Sequence, residues 1–203
     1  MGNFRFGFEL EGFYSVNNAI TLPPKGYPID GFPGLCEVRS SGGKSLWDAH
    51  TELLGEYNRH PFDYETVEYT FSPDDKRQIR ARNGEKAAVS IQNVYGKKPK
   101  ALGNRTLASL QINISLLTDA SYTDKEGRYH PERYGLFDYV PIIRALDNTF
   151  KEQIEGAGRQ VGWYAIKDGC RVEYRSLPNK MFSIYPHRIK DLLDRIEKAV
   201  NNG

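Results

Sequence analysis

Three short segments of this chain carry charged residues at every second position of strand-like sequence. Because side chains alternate between the two faces of a β-strand, the charges of each segment share one face and apolar residues fill the other. Carboxylates mixed with guanidinium groups suit a divalent metal ion held against phosphate oxygens. The pattern therefore predicts an active site. The segments are Phe8-Glu9-Leu10-Glu11, Cys36-Glu37-Val38-Arg39-Ser40 and Arg171-Val172-Glu173-Tyr174-Arg175-Ser176.

The glutamates of these segments would repel one another if their strands line one concave surface. A divalent cation would compensate that repulsion, and magnesium prefers carboxylate, water and phosphate oxygens. Arg39 and Arg175 would then face the phosphates as permanently charged donors. The competing interpretation is an ordinary antiparallel sheet with one solvated face, on which glutamate and arginine are cross-strand ion pairs. The glutamates concerned are Glu9, Glu11, Glu37 and Glu173.

The elements that must position these residues are strands interleaved with a few helices. Alternation predicts the strands, and apolar residues at helical spacing predict the helices. Asp168-Gly169 predicts a hairpin turn between the last two strands. The order favours an α+β domain with a mainly antiparallel sheet. Strands are expected at 4–15, 35–40, 64–71, 107–117, 161–167 and 170–176, and helices at 45–58, 139–154 and 189–200.

The strand at 107–117 has a polar face without charge. Its polar residues are Ser109, Gln111, Asn113 and Ser115. We expect this strand to join the charged strands in the same sheet. Its amides would then bind nucleotide or substrate by hydrogen bonds.

Bulk properties predict one cytoplasmic domain. The chain has 203 residues and a net charge of +2, which gives no general attraction to nucleic acid or membrane. The N-terminus lacks the apolar core of a signal peptide, and no stretch approaches membrane-spanning length. Cys36 and Cys170 are interpreted as small buried residues.

The segment 76–105 is strongly basic, with nine basic residues against the single acid Glu85. It could attract an anionic ligand. Together with the Gly/Pro-rich loop at 23–34, it is a candidate for a lid over the site. The sequence Gly42-Gly43-Lys44-Ser45 is not a P-loop, because that motif requires glycine where the chain has Val38. A glycine turn into a helix capped by Ser45 is expected instead.

The charged and amide segments, taken in order, resemble the amidoligases of the carboxylate-amine ligase superfamily, which includes glutamine synthetase and glutamate-cysteine ligase. The resemblance spans residues 7 to 179. It rests on Gly7-Phe8-Glu9-Leu10-Glu11-Gly12, Glu37-Val38-Arg39-Ser40-Ser41, Gln111-Ile112-Asn113-Ile114 and Val172-Glu173-Tyr174-Arg175.

The resemblance implies a glutamine synthetase-like catalytic domain over residues 1–203, with a curved antiparallel sheet and helices packed on one face. It implies an ATP- and Mg-dependent ligase in which ATP phosphorylates a small-molecule or peptide carboxylate and an amine attacks the acyl phosphate. It also implies that Arg175 and, less directly, Arg39 contact phosphate. By position, the metal ligands would be Glu9, Glu11, Glu37 and Glu173.

One departure from the family pattern concerns the amide strand. The family often has His-x-His where this chain has Gln111-Ile112-Asn113, and amides cannot act as a base at neutral pH. Two other functions remain open. One is a non-catalytic module that binds nucleic acid or an acidic partner through 76–105; the other is a metal-dependent hydrolase or kinase. Related synthetases often complete their sites between subunits, which would suit so short a chain.

Overall fold

The computed structural model describes part of the chain, and the helices and strands below lie within that part. The described residues are 4–13, 27–28, 35–59, 70–71, 91–98, 102–103, 108–118, 123–128, 134–167 and 169–203. The helices are Leu46–Arg59 (α1), Tyr139–Gly156 (α2) and Pro186–Asn202 (α3), with a short 3₁₀ helix at Asn179–Met181. The strands are Phe4–Phe13 (β1), Tyr27–Pro28 (β2), Leu35–Arg39 (β3), Thr70–Phe71 (β4), Gln92–Asn93 (β5), Leu102–Gly103 (β6), Leu110–Leu117 (β7), Tyr134–Gly135 (β8), Trp163–Lys167 (β9) and Arg171–Tyr174 (β10).

Eight of these described strands form one sheet in the order β2-β3-β1-β7-β10-β9-β5, with β8 also paired to β7. The pairings that build the sheet are antiparallel. Strands β4 and β6 form a separate antiparallel pair. The predicted α+β class with an antiparallel sheet is therefore confirmed.

The apolar face of the sheet packs against the three helices. Phe8, Ile112 and Tyr174 are fully buried there, because each sits at an alternate position of its strand. Helix α2 contributes Ile143, and α3 contributes Ile196 to the same hydrophobic cluster. Burial of this face fixes which residues face the other way, since successive side chains alternate.

Most predicted elements lie where the patterns placed them, with small shifts at their ends. The hairpin between β9 and β10 turns through Gly169, which has a φ of 75°. Helix α1 begins after Ser45, whose hydroxyl accepts a hydrogen bond from the Asp48 amide at 3.1 Å. The first strand is described over Phe4–Phe13, and residues 14 and 15 of the predicted strand lie outside the described residues.

Four short strands differ from the prediction. Residues 27–28, 92–93, 102–103 and 134–135 are strands within segments that were expected to be loop or were left unassigned. Two-residue strands carry too little alternation to be recognised from sequence. The predicted strand at 64–71 is described only at Thr70–Phe71, and the predicted lids at 23–34 and 76–105 lie largely outside the described residues.

The glycine turn after β3 crosses the polar face of β1. After Ser40 the chain leaves the sheet and returns at Lys44, which pairs with Phe6. A Cβ atom on Gly7 would lie 3.2 Å from the Gly42 Cα atom, so glycine at position 7 permits this close approach. Gly43 has a φ of 77°, a conformation that favours glycine.

Two smaller predictions have mixed outcomes. Cys170 is half-buried, so the interpretation as a buried residue is wrong for it. It lies in the hairpin turn, where neighbouring elements cannot enclose it. Within the described residues, no helix combines the length and apolar character needed to cross a membrane.

His50 belongs to the hydrophobic core. Its imidazole is 2% exposed, stacks on Phe182 at 5.4 Å between ring centroids, and meets the Phe8 ring edge-on. Burial lowers the pKa of His50 to about 4. Protonation of this side chain therefore opposes folding.

We predict that His50 makes the fold sensitive to mild acid. Between pH 7 and pH 5 His50 binds a proton in the unfolded chain but stays neutral in the folded chain. The free energy of unfolding therefore falls by about 2 kcal/mol because of this group. The His50→Phe variant should lack that contribution. Urea unfolding of both proteins at the two pH values measures it as a difference of differences, in which other titrating groups cancel. Replacing exposed His187 by glutamine is the control. Equal pH dependence in wild type and His50→Phe would contradict the assignment.

Candidate metal and nucleotide site

The charged and amide residues identified in the sequence lie on one face of the adjacent strands β3, β1, β7 and β10. Glu9 stands between Arg39 and Gln111 in the strand register. Asn113 pairs with Glu173 on β10. Side chains that lie directly opposite each other on neighbouring strands project to the same face. The structure thus brings together residues that are more than 160 positions apart in the chain.

Most of this polar face is buried. Glu173, Gln111 and Asn113 are 0%, 1% and 6% exposed. Glu9 is half-buried, and the Arg39 side chain is 44% exposed. The interpretation as an ordinary solvated sheet face is therefore wrong for β7 and β10. It describes only the margin of the face near Arg39.

Glu11 is held by hydrogen bonds from β7 and the residue before it. One carboxylate oxygen accepts from the Ser109 amide at 2.9 Å and from the Ser109 hydroxyl at 2.6 Å. The other accepts from Gln111 Nε2 at 2.9 Å. A carboxylate with three protein donors is fixed in orientation and anchors β1 to β7. Ser109 was recognised as a polar-face residue, but its role as the partner of Glu11 was not predicted.

Glu173 forms a buried ion-pair cluster with Arg175 and Lys167. Arg175 reaches Glu173 Oε1 through Nε and Nη2, and Lys167 Nζ lies 2.9 Å from Glu173 Oε2. Burial raises the pKa of Glu173, but the positive charges of Arg175 and Lys167 outweigh it, so this pKa lies below its ordinary value. Lys167 was missed because it is a lone lysine at the end of a strand.

The carboxylates of Glu9 and Glu37 have fewer hydrogen-bond donors and cations beside them than those of Glu11 and Glu173. Glu9 accepts one hydrogen bond from Asn113 Nδ2 at 3.3 Å, and Glu37 lies 4.0 Å from Arg39. Burial and then the negative charge of Glu173 raise the pKa of Glu9. Burial and then the charges of Glu9 and Glu11 raise the pKa of Glu37 to about 8. A bound cation would relieve this repulsion.

Arg159 is a buried cation behind the site that the sequence did not reveal. It donates to the carbonyl oxygens of Ser176 at 2.8 Å, Arg175 at 2.6 Å and Ala108 at 3.3 Å. Burial lowers the pKa of Arg159 to about 10, against the opposing effect of Glu11. The guanidinium joins the chain after β10 to the chain before β7. It therefore positions the backbone that carries Arg175.

The donor set fits a metal ion only in part. Among the described residues, no three acidic, histidine or cysteine side chains are arranged to hold one. The face does offer two further oxygens, Gln111 Oε1 and Asn113 Oδ1, which are buried without a hydrogen-bond donor. Ligation by four glutamates thus remains a prediction, whereas a mixed set of carboxylate and amide oxygens suits magnesium chemistry.

Comparison of the chain with models of protein families, with curated proteins and with solved structures found no match. The resemblance to amidoligases therefore rests on the ordered sequence motifs and stays a prediction. Of the basic segment 76–105, the described part includes the exposed residues Lys97 and Lys98.

We predict that replacement by glutamine destabilises the fold at Glu11 but not at Glu9, although both residues lie on β1. Glutamine at position 11 would place an NH₂ group against the donors of either Ser109 or Gln111, which should cost about 2 kcal/mol. Glutamine at position 9 keeps an acceptor for Asn113 and removes a repelled charge, so Glu9→Gln should be neutral or stabilising. Urea unfolding at pH 7 measures both. Equal destabilisation by the two substitutions would contradict the division between satisfied and strained carboxylates.

Proposed function

We propose that the protein is an ATP- and Mg-dependent ligase that joins a carboxylate to an amine through an acyl phosphate. The observation that carries the proposal is the convergence of Glu9, Glu37 and Arg175 on one largely buried face of the sheet. Acids that lack full compensation, beside a fixed arginine, form a surface suited to a magnesium nucleotide.

The side chains divide into two roles. Glu9 and Glu37 have the fewest hydrogen-bond donors and cations beside them, so they are the leading ligands for magnesium, which would stabilise their charged forms and neutralise phosphate charge when bound. Glu11 and Glu173 already have protein partners, and they orient Gln111 and Arg175. If they also ligate the metal, as the resemblance implies, they do so with their remaining lone pairs.

The arginines would bind phosphate from two directions. Arg175 uses Nε and Nη2 on Glu173, and a guanidinium has five N–H donors, so others remain for an anion. Arg39 is at the exposed margin and would meet the nucleotide there. Fixed donors of this kind stabilise charge that moves during phosphoryl transfer.

The reaction is balanced as two transfers. A carboxylate oxygen of the acid attacks the terminal phosphorus of ATP, ADP leaves, and an acyl phosphate forms. The amine nitrogen then attacks the acyl carbon, phosphate leaves, and the amine loses a proton. The buried face supports this chemistry because an acyl phosphate must be kept from water.

The glutamine synthetase-like fold belongs to this same proposal. An antiparallel sheet with a polar, charge-bearing face and helices against its apolar face is what that fold would require. The acid and amine substrates are expected to be small molecules or peptides.

We predict that Glu9→Gln abolishes ATP turnover and keeps the fold. The glutamine retains the hydrogen bond from Asn113 but loses the charge that would hold the magnesium nucleotide. Glu173→Gln is a weaker probe, because it would remove the negative charge that pairs buried Arg175 and half-buried Lys167 and would destabilise the fold. Glu155→Gln, at an exposed position of α2, is the matched control. Retained turnover in Glu9→Gln would reject the role of Glu9.

The reaction itself is tested by mass spectrometry of mixtures that pair candidate acids and amines with ATP and Mg²⁺. A ligase gives a product with the mass of acid plus amine minus water, and one ADP and one phosphate for each product. Phosphate release with no amine present would favour a hydrolase, and a phosphorylated acceptor would favour a kinase. Either result would overturn the ligase.

A further inference from the structure

Two buried amide oxygens on β7 have no hydrogen-bond partner. Gln111 is 1% exposed and Asn113 is 6% exposed, yet Gln111 Oε1 and Asn113 Oδ1 receive no donor in the described structure. A buried amide oxygen without a partner loses its hydration and gains no hydrogen bond in return, so its burial opposes folding. Such an orphaned group in a folded protein requires an explanation.

The orientation of both amides is set by their nitrogens. Asn113 Nδ2 donates to Glu9, and Gln111 Nε2 donates to Glu11 at 2.9 Å and to the Ser109 hydroxyl at 3.2 Å. Rotating either amide by 180° would turn its oxygen towards a carboxylate oxygen, which is repulsive. Because nitrogen and oxygen share one carbon atom, each orphaned oxygen stays beside the carboxylate that its nitrogen contacts.

The carboxylates of Glu9 and Glu173 lie beside these oxygens, and Arg175 and Lys167 pair with Glu173 rather than with Glu9. Asn113 stands between Gly7 and Glu173 in the register, and Gln111 is opposite Glu9. Gly7 has no side chain to fill the space beside Asn113, although the Gly42 backbone approaches there. The missing partner of an oxygen in such a place is a cation or a donor hydrogen, and neutral amide oxygens add ligands without adding repulsion.

We propose that Gln111 Oε1 and Asn113 Oδ1 are direct ligands of a hard divalent cation that is shared with Glu9. The site would be built from oxygen alone, since the side chains proposed here are a glutamate on β1 and a glutamine and an asparagine on β7. Hard cations such as Mg²⁺, Mn²⁺ and Ca²⁺ accept carboxylate and amide oxygens, whereas imidazole and thiolate ligands favour Zn²⁺ and Cu²⁺. This inference deepens the proposed function but can be tested without ATP.

The first test uses Mn²⁺ alone as the probe. Electron paramagnetic resonance of free Mn²⁺ gives its dissociation constant for the full chain. Asn113→Leu keeps the branched shape of the side chain but removes the oxygen, and it should weaken Mn²⁺ binding at least tenfold. Ser115→Ala, on the same buried face two residues away, is the control and should leave the constant unchanged. Unchanged binding in a folded Asn113→Leu protein would overturn the inference.

The second test works even if Asn113→Leu folds poorly, because it adds a ligand. Asn113→His should improve the affinity for Zn²⁺ relative to Mn²⁺ at least tenfold. Spin-echo modulation from bound Mn²⁺ or Cu²⁺ should also show a coupled imidazole nitrogen that the wild type lacks. No change in the metal preference and no nitrogen coupling would place residue 113 outside the coordination shell and refute the proposal.

The two proposals fail separately. Mn²⁺ binding that depends on Asn113, without ligation in any mixture, would support the cation site and reject the ligase. ATP-dependent ligation together with a Mn²⁺ affinity that Asn113→Leu leaves unchanged would support the ligase and reject the cation site.

Discussion

The antiparallel register between β1 and β7 is the constraint on which the rest of the site depends. It places Glu9 opposite Gln111 while Phe8 and Ile112, their neighbours, face the helices. A slip of one residue would move every carboxylate of β1 to the helix-packed face. Because burial of the apolar residues forbids that slip, the hydrophobic core also determines which side chains meet on the polar face.

The carboxylates of this face divide into two kinds, and the division follows their partners. Glu11 and Glu173 are surrounded by donors, so they stabilise the fold and orient the groups around them. Glu9 and Glu37 lie in the same low-dielectric environment with fewer donors, and the raised pKa of each reports the unfavourable energy of its charge. An unfavourably placed carboxylate persists only where the surrounding structure holds it in position. Ionisable groups with such perturbed pKa values concentrate at functional sites.

Alternation in the sequence predicted the faces of the strands but not the contacts across them. A period of two assigns a residue to one side of a strand, whereas its partner depends on register, which turns and distant segments determine. The sequence therefore does not reveal that Lys167 contacts Glu173, although the strand that carries Lys167 was expected. Arg159 lies between α2 and β9, where the sequence has no strand or helix periodicity. It donates to backbone carbonyl oxygens, which every residue carries, so the types of the residues concerned do not reveal these contacts.

The sequence Glu-x-Arg-Ser occurs twice, at residues 37–40 and 173–176, and this repeat shows most clearly what sequence similarity leaves open. Arg39 and Arg175 occupy the same place in the repeat, but β3 lies outside β1 and β10 lies between β7 and β9. The Arg39 side chain is 44% exposed, whereas Arg175 is buried and fixed on Glu173. Under the proposed function, an anion that reaches this face would meet Arg39 first with little desolvation. Only a ligand that replaces the lost hydration would be favoured further in, so Arg39 would be the entry contact and Arg175 the inner contact for phosphate.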